Sequence, residues 1–234
     1  MTLQKVKNVI VQYFEIWWIP ILSYIVPFLI YLLGTVFKSD FIINVSLFVF
    51  YTNIFGNIIS SIVQIVIGKW FFIIPQIGIS YALFLFVAIL FTFSPPDYYG
   101  AHKTIPTDIQ IAKPLDSIPI HAELIKHKLI LSCSSQPGIY NYYTNVKPSE
   151  LGTFYIKAYE ITSNDKLSEE RIKSSSKIKV ENLEPKIYSG EFTIYEGSWG
   201  DKYGARIELW FETSNKKKNY KIAQKNYIVE GWMR

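Results

Sequence analysis

Charge is almost missing from the first part of the chain: the only charged side chains before Pro95 are Lys5, Lys7, Glu15, Lys38, Asp40 and Lys69, all near the ends of hydrophobic runs. Cysteine occurs once, so Cys133 has no intramolecular disulfide partner and cysteine usage says nothing of the redox compartment. No phosphate-cradling glycine loop, serine elbow or HExxH helix is present. The net charge of +5 is made mostly of scattered lysine with no basic stripe interleaved with aromatics, which excludes a nucleic-acid footprint. No acid or base lies deep inside a hydrophobic run, which argues against a proton relay or an ion-coupled transporter.

What is present is a sharp change of composition at Ser94-Pro95-Pro96. Before it, three apolar runs predict transmembrane helices over about 17–37, 41–67 and 70–93, together a membrane domain of residues 1–94. At about 1.5 Å per residue, the uncharged first run is roughly as long as the hydrocarbon layer is thick. Trp17 and Trp18 stand at its start, where indole rings favour the headgroup region, and Pro20 and Pro27 bend it. Its length and the lack of a small-x-small cleavage site indicate an uncleaved signal anchor. Gly68-Lys69 leaves room only for a tight hairpin between the second and third spans.

The second span carries the most specific pattern. Ser46, Asn53 and Ser60 recur every seventh residue, as do Phe50, Asn57 and Gln64, so the six form one narrow, mostly polar seam. Amides facing acyl chains are costly, and the seam must therefore meet another helix, another copy of the chain, or water. Three readings follow: hydrogen bonding between helices of one chain, with Gly56 and Ser60 allowing close approach; self-association into a homo-oligomer; and a water-filled path lined by Asn53, Asn57 and Gln64.

With the N-terminus cytoplasmic, Lys5, Lys7, the terminal amine and Lys69 lie inside while Lys38 and Lys103 lie outside, a small margin under the positive-inside rule. An odd number of spans then places the C-terminal domain outside the cytoplasm. The proline doublet ends the third helix, and residues 95–107 are expected to act as a linker.

Residues 108–234 switch to a period of two. Phe154, Ile156 and Ala158 alternate with Tyr155, Lys157 and Tyr159, and Ala205, Ile207, Leu209 and Phe211 alternate with Arg206, Glu208, Trp210 and Glu212. Shorter alternations at Ile109/Ile111, Ile118/Ile120/Ala122, Leu129/Leu131, Ile178/Val180 and Phe192/Ile194 are separated by turn signals, among them Gln136-Pro137-Gly138 and Ser189-Gly190. The expected fold is a three-helix membrane bundle followed by an all-β domain, an immunoglobulin-like sandwich first and an open barrel second. Cys133 should face inward with Leu129 and Leu131, and Ser168 should cap a short helix beginning with two acids.

The strings GTFYIKAYEITSNDKLSEERI, EFTIYEGSWGDKYGARIELWF and the terminal VEGWMR resemble a group of uncharacterised bacterial membrane proteins with N-terminal helices and a C-terminal β domain. The resemblance covers roughly the last ninety residues and implies a bacterial origin and a recurring domain, with no activity and no functional residue to carry over.

Chemistry is hard to find in the second half. His121, His127 and Cys133 are spaced by six, but alternation sends His121 and Cys133 to opposite faces, so no metal site is assigned. Glu191, Glu196 and Asp201 read as solvated strand and loop positions, so neither a catalytic pair nor a cofactor is assigned. A partner surface is the better expectation. Its candidates are outward Tyr155, Tyr159 and Trp210, the loop residue Trp199, and the lysines Lys216, Lys217 and Lys218 at a hairpin tip.

The sequence therefore predicts a bacterial inner-membrane protein whose partners are the lipid bilayer and a protein or envelope component, recognised by a non-enzymatic β module. The rival reading is a membrane-perturbing or channel-like effector of the defence type, assembled along the seam and triggered through the β domain.

Overall fold

The computed structural model describes residues 3–93, 95–119, 126–215 and 218–232, with side chains from residue 7. The chain divides into two compact units, Met1–Pro96 and Asp97–Arg234. Ser94, His121, Lys216 and Lys217 lie outside the described residues.

The first unit is helical: α1 (Leu3–Glu15), α2 (Ile19–Leu22), α3 (Ile25–Val36), α4 (Asp40–Val66) and α5 (Ile73–Phe93), the last preceded by a 3₁₀ turn at Trp70–Phe72. Ile19–Val36, Asp40–Val66 and Trp70–Phe93 are long and apolar enough to cross a bilayer, which suggests a membrane protein. Large side chains such as Phe41, Phe48, Val66 and Ile74 point outward from them, as they do where acyl chains are the solvent.

The first span is not one rod. Pro27 has no N–H for the carbonyl of Ser23, and Tyr24 N–H turns to Ile21 instead of Pro20, so α2 and α3 are separate pieces. The preceding helix α1 was not foreseen, because its residues lie ahead of the uncharged run. Ser39, extended at φ −113°, accepts the N–H of Ile42 and starts α4, with Asp40 in the first turn where the helix dipole favours an acid. Gly68, at φ +77°, ends it: Lys69 N–H bonds to Gln64 O and Gly68 N–H to Ile65 O, the paired closure that a left-handed glycine allows. The rings of Trp17 and Phe72 stack at 5.1 Å, which sets the start of the first span beside the turn between the second and third.

The second unit is a two-sheet β region. Its described strands are β1 (Ile130–Cys133), β2 (Ile139–Thr144), β3 (Gly152–Glu160), β4 (Lys166–Leu167), β5 (Ile178–Val180), β6 (Tyr188–Thr193), β7 (Tyr203–Thr213) and β8 (Asn219–Val229), with helix α6 (Glu169–Ser175) between β4 and β5. One sheet runs β1-β2-β6 and the other β4-β3-β7-β8, with β5 also pairing β3. Their inner faces share one core, to which the small sheet gives Leu131, Tyr142 and Phe192 and the large one Phe154, Ile156, Ile207, Leu209, Phe211 and Tyr227. Full burial of such side chains stabilises by roughly 1.5–3 kcal/mol each.

Three polar devices hold the sheets in place. The Tyr227 hydroxyl, on β8, accepts the N–H of Leu131 and donates to the carbonyl of Leu129 on the approach to β1. The strap Ala112-Lys113-Pro114-Leu115 pairs with β8 at Ala112 and with β1 at Leu115, crossing from one sheet to the other. On the free side of β3, β5 covers Gly152–Phe154 and β4 covers Ala158–Tyr159; in the gap between them Ser176, which ends α6, accepts the N–H of Ile156 at 2.9 Å.

Several expectations change. Cys133 is exposed, because Ile130, Leu131 and Ser132 are all buried and the alternation lapses at the end of the strand. Ser189-Gly190 is not a turn but part of β6, where a glycine makes room for the Tyr142 ring opposite. Ser168 does precede α6, but at φ 41° its hydroxyl bonds to Glu196 rather than to the helix. Residues 109–111 are irregular, Ile118 is exposed, and Ile120 and Ala122 lie outside the described residues.

The segment read as a linker is packed over its first part. Asp97 to Lys103 belongs to the second unit, with the Tyr99 ring edge-on to Tyr203 at 5.4 Å and Gly100 buried against Asp201. Lys103 reaches Asp165 at 3.4 Å and the buried carboxylate of Glu160 at 3.5 Å. Burial alone raises the Glu160 pKa, but the N–H and hydroxyl groups of Thr162 and Ser163 outweigh it and hold the carboxyl down at about 2. A folded-state pKa below the unfolded value of about 4.3 contributes stability that is complete above that value and is lost as pH falls toward 2. Chemical denaturation of the full-length protein between pH ~6 and ~2 should therefore show an acid-sensitive step that Glu160→Gln removes. An unchanged acid profile in that variant would contradict the assignment.

Candidate helix seam and candidate recognition surface

The predicted seam of α4 faces the other helices of the same chain, and all six residues except half-exposed Asn53 are buried. Its donors meet main-chain carbonyls of α1 and of the interrupted first span. Ser60 Oγ donates to Phe14 O at 2.9 Å, and Gln64 Nε2 to Phe14 O at 3.1 Å and Glu15 O at 3.0 Å, where α1 ends. Asn57 Nδ2 donates to Pro20 O at 3.3 Å, and Asn53 Nδ2 to Ser23 O at 3.0 Å, at the two interruptions around α2. Ser46 Oγ donates to Pro27 O at 2.7 Å. Phe50 fills the stripe between them against the Tyr24 ring at 5.4 Å.

Gly56 lets α1 come close: a side-chain carbon there would stand 2.6 Å from the Tyr13 hydroxyl. From the third span Gln76 adds a bond to Asn57 Oδ1 at 3.3 Å, with Ser80 buried one turn on. These two were missed, although Gln76 is the one amide in that span. The carbonyl oxygens of Gln64 and Gln76 accept no hydrogen bond among the described residues.

On the β unit, Tyr155, Tyr159 and Trp210 share the outer face of the large sheet, with Tyr155 opposite Trp210 and Tyr159 opposite Arg206. Each ring is already occupied. Lys157 Nζ stands 4.0 Å from the Trp210 ring centre, Lys173 of α6 stands 5.0 Å from that of Tyr155, and the Arg206 guanidinium 4.8 Å from that of Tyr159. Beneath them Glu208 is nearly enclosed, accepting from Trp210 Nε1 at 2.9 Å, Arg206 Nε at 3.1 Å and Lys221 Nζ at 3.2 Å. Burial raises its pKa, and these three donors outweigh burial and lower it. Tyr155, expected to be open, is fully buried, and its hydroxyl donates to Asn219. Alternation places Lys157 and Arg206 on this face; Lys173 arrives from a separate helix and carries no such signal.

The remaining candidates are elsewhere. Trp199 is 46% exposed in the β6–β7 loop, while Lys218, ion-paired to Glu150 at 3.9 Å, lies beyond the other end of β7. Eleven strand residues separate them, roughly 35 Å at about 3.3 Å per residue, so one small partner does not touch both. Glu196 is a structural anchor, accepting the N–H and hydroxyl of Ser168.

The architecture defines a class: three candidate spans followed by a two-sheet β region. In comparison with known proteins, no family model matches the chain and no curated protein matches it in sequence.

If the seam caps the interrupted span, Asn57→Leu and Gln64→Leu should each destabilise the helical unit by about 1 kcal/mol, within the range of membrane hydrogen bonds, in detergent-titration unfolding of the full-length protein. Thr52→Val, whose hydroxyl bonds only within its own helix on an exposed face, is the neutral control. Equal effects at all three positions would refute a capping role.

Proposed function

We propose that this chain is a membrane-anchored, non-enzymatic recognition module of the bacterial inner membrane. The helices form a self-contained anchor, and the two-sheet unit, an immunoglobulin-like sandwich outside the cytoplasm, binds a protein or envelope component. The observation that supports this is that the Asn53, Asn57 and Gln64 amide N–H groups donate to carbonyls of their own chain. Two features support the immunoglobulin-like reading. The order β1-β2-β6 against β4-β3-β7-β8 resembles an A-B-E against C′-C-F-G arrangement of such sandwiches, apart from β5, which pairs β3. Tyr203, opening β7, donates to Glu196 O at 2.8 Å, the bond a tyrosine corner makes before strand F. For recognition, Trp199 is the open aromatic among the candidates, while a partner stacking on Trp210 must displace Lys157.

The effector reading is favoured by one feature, the two buried amide oxygens on Gln64 and Gln76 that lack partners. Dye release from vesicles separates the two. The reconstituted full-length protein should release no trapped dye and run as a single copy; release that Asn57→Leu with Gln64→Leu abolishes would reverse the choice. The orientation rests on Lys5, Lys7 and Lys69 lying on one side of the membrane. A C-terminal reporter active only in the cytoplasm should stay silent, and a signal would overturn the external placement.

A further inference from the structure

We propose that the second unit carries a binding site for a phosphoryl group, in the open cleft between its two edge strands, β1 and β8. Directly paired residues on neighbouring antiparallel strands point to the same face. Along β8 this puts Tyr227, Lys225 and Ala223 on the core side, opposite Ala205, Ile207 and Leu209, each of which is fully buried. A lysine at a core-facing position of a sandwich is out of place unless the sheets part there. They do. The strap closes the gap only at Ala112–Leu115, and beyond it lie two adjoining recesses of about 260 and 300 Å³.

Both recesses share Lys126, His127 and Lys225; Lys113 of the strap lines the first and Lys128 the second. Cations thus arrive from the strap, from the approach to β1 and from β8, and no carboxylate lines either recess among the described residues. Elsewhere on the unit, Lys103, Lys166, Lys218 and Lys221 each have a carboxylate partner. Among the described residues Lys113, Lys126 and Lys225 have none, and Lys225 has only the Tyr227 ring, 5.3 Å from its ammonium.

Unneutralised cations converging on a walled recess repel one another and concentrate anions there. Lysine ammoniums bind phosphate as point charges, and a tetrahedral, multiply charged oxyanion offers oxygens in several directions to ammoniums that arrive from separate elements. The ligand chemistry is therefore a phosphoryl group, borne either by a soluble phosphate compound or by a lipid headgroup.

The test titrates the full-length protein in an uncharged detergent with inorganic pyrophosphate, and separately with dihexanoyl phosphatidylglycerol, by calorimetry. Saturable binding of pyrophosphate alone identifies a soluble ligand, and of the lipid alone a headgroup; either supports the site provided that Lys225→Gln weakens it about tenfold, as loss of one charge-assisted bond does. Lys225→Arg should retain binding, and Lys147→Gln, an exposed lysine not lining the cleft, should leave it unchanged. If circular dichroism shows that Lys225→Gln does not fold, Lys113→Gln takes its place. Binding of neither probe, or a loss in Lys147→Gln equal to that in the cleft variant, overturns the proposal.

Discussion

A carbonyl in hydrocarbon has no water to turn to, and an interrupted helix in a bilayer exposes several. Pro27 has no N–H for the carbonyl of Ser23, which accepts that of Val26 instead, and the kink at Ile21 to Tyr24 leaves the carbonyl of Pro20 to the side chains of Ser23 and Asn57. The end of α1 strands those of Phe14 and Glu15. Asn53, Asn57, Ser60 and Gln64 are spaced so that one helix delivers a donor to each of these carbonyls, and Ser46 adds a bond to Pro27 O within α3. The interrupted span and the polar seam fit one another, side-chain donors of α4 meeting main-chain oxygens at and beside the breaks.

The β unit solves a related problem in water. Its two sheets share an apolar core, but their register relative to each other is set by polar bonds at the margins, from the Tyr227 hydroxyl and from the strap that visits both edges. Its outer aromatics are sheathed by cations from the same sheet and from α6, and Glu208 holds one of them, Arg206, in place. A face that looks adhesive in sequence is therefore largely self-satisfied.

Much of this was legible because it repeats. The heptad spacing of polar residues marks the seam, and period-two alternation marks β3 and β7 with the correct inner faces. What pattern cannot convey is the identity of a distant acceptor, so the seam's partners at Phe14, Pro20 and Ser23 had to be seen. Strand β2 escaped because its buried positions are Tyr140, Tyr142 and Thr144 while Ile139 and Tyr143 share the other face, so apolar does not alternate with polar. Lys225 escaped for a different reason: a bulge between Leu209 and Trp210 shifts the register of β8, so counting from Lys221 assigns it to the wrong face.

The single hydrogen bond from Ile156 N–H to Ser176 Oγ carries a consequence beyond its own strength. A bare stretch between two short flanking strands is a template on which a foreign strand, or the same strand of a crowded neighbour, can zip. By seating the end of α6 in that stretch, the fold closes this side of β3 to strand addition.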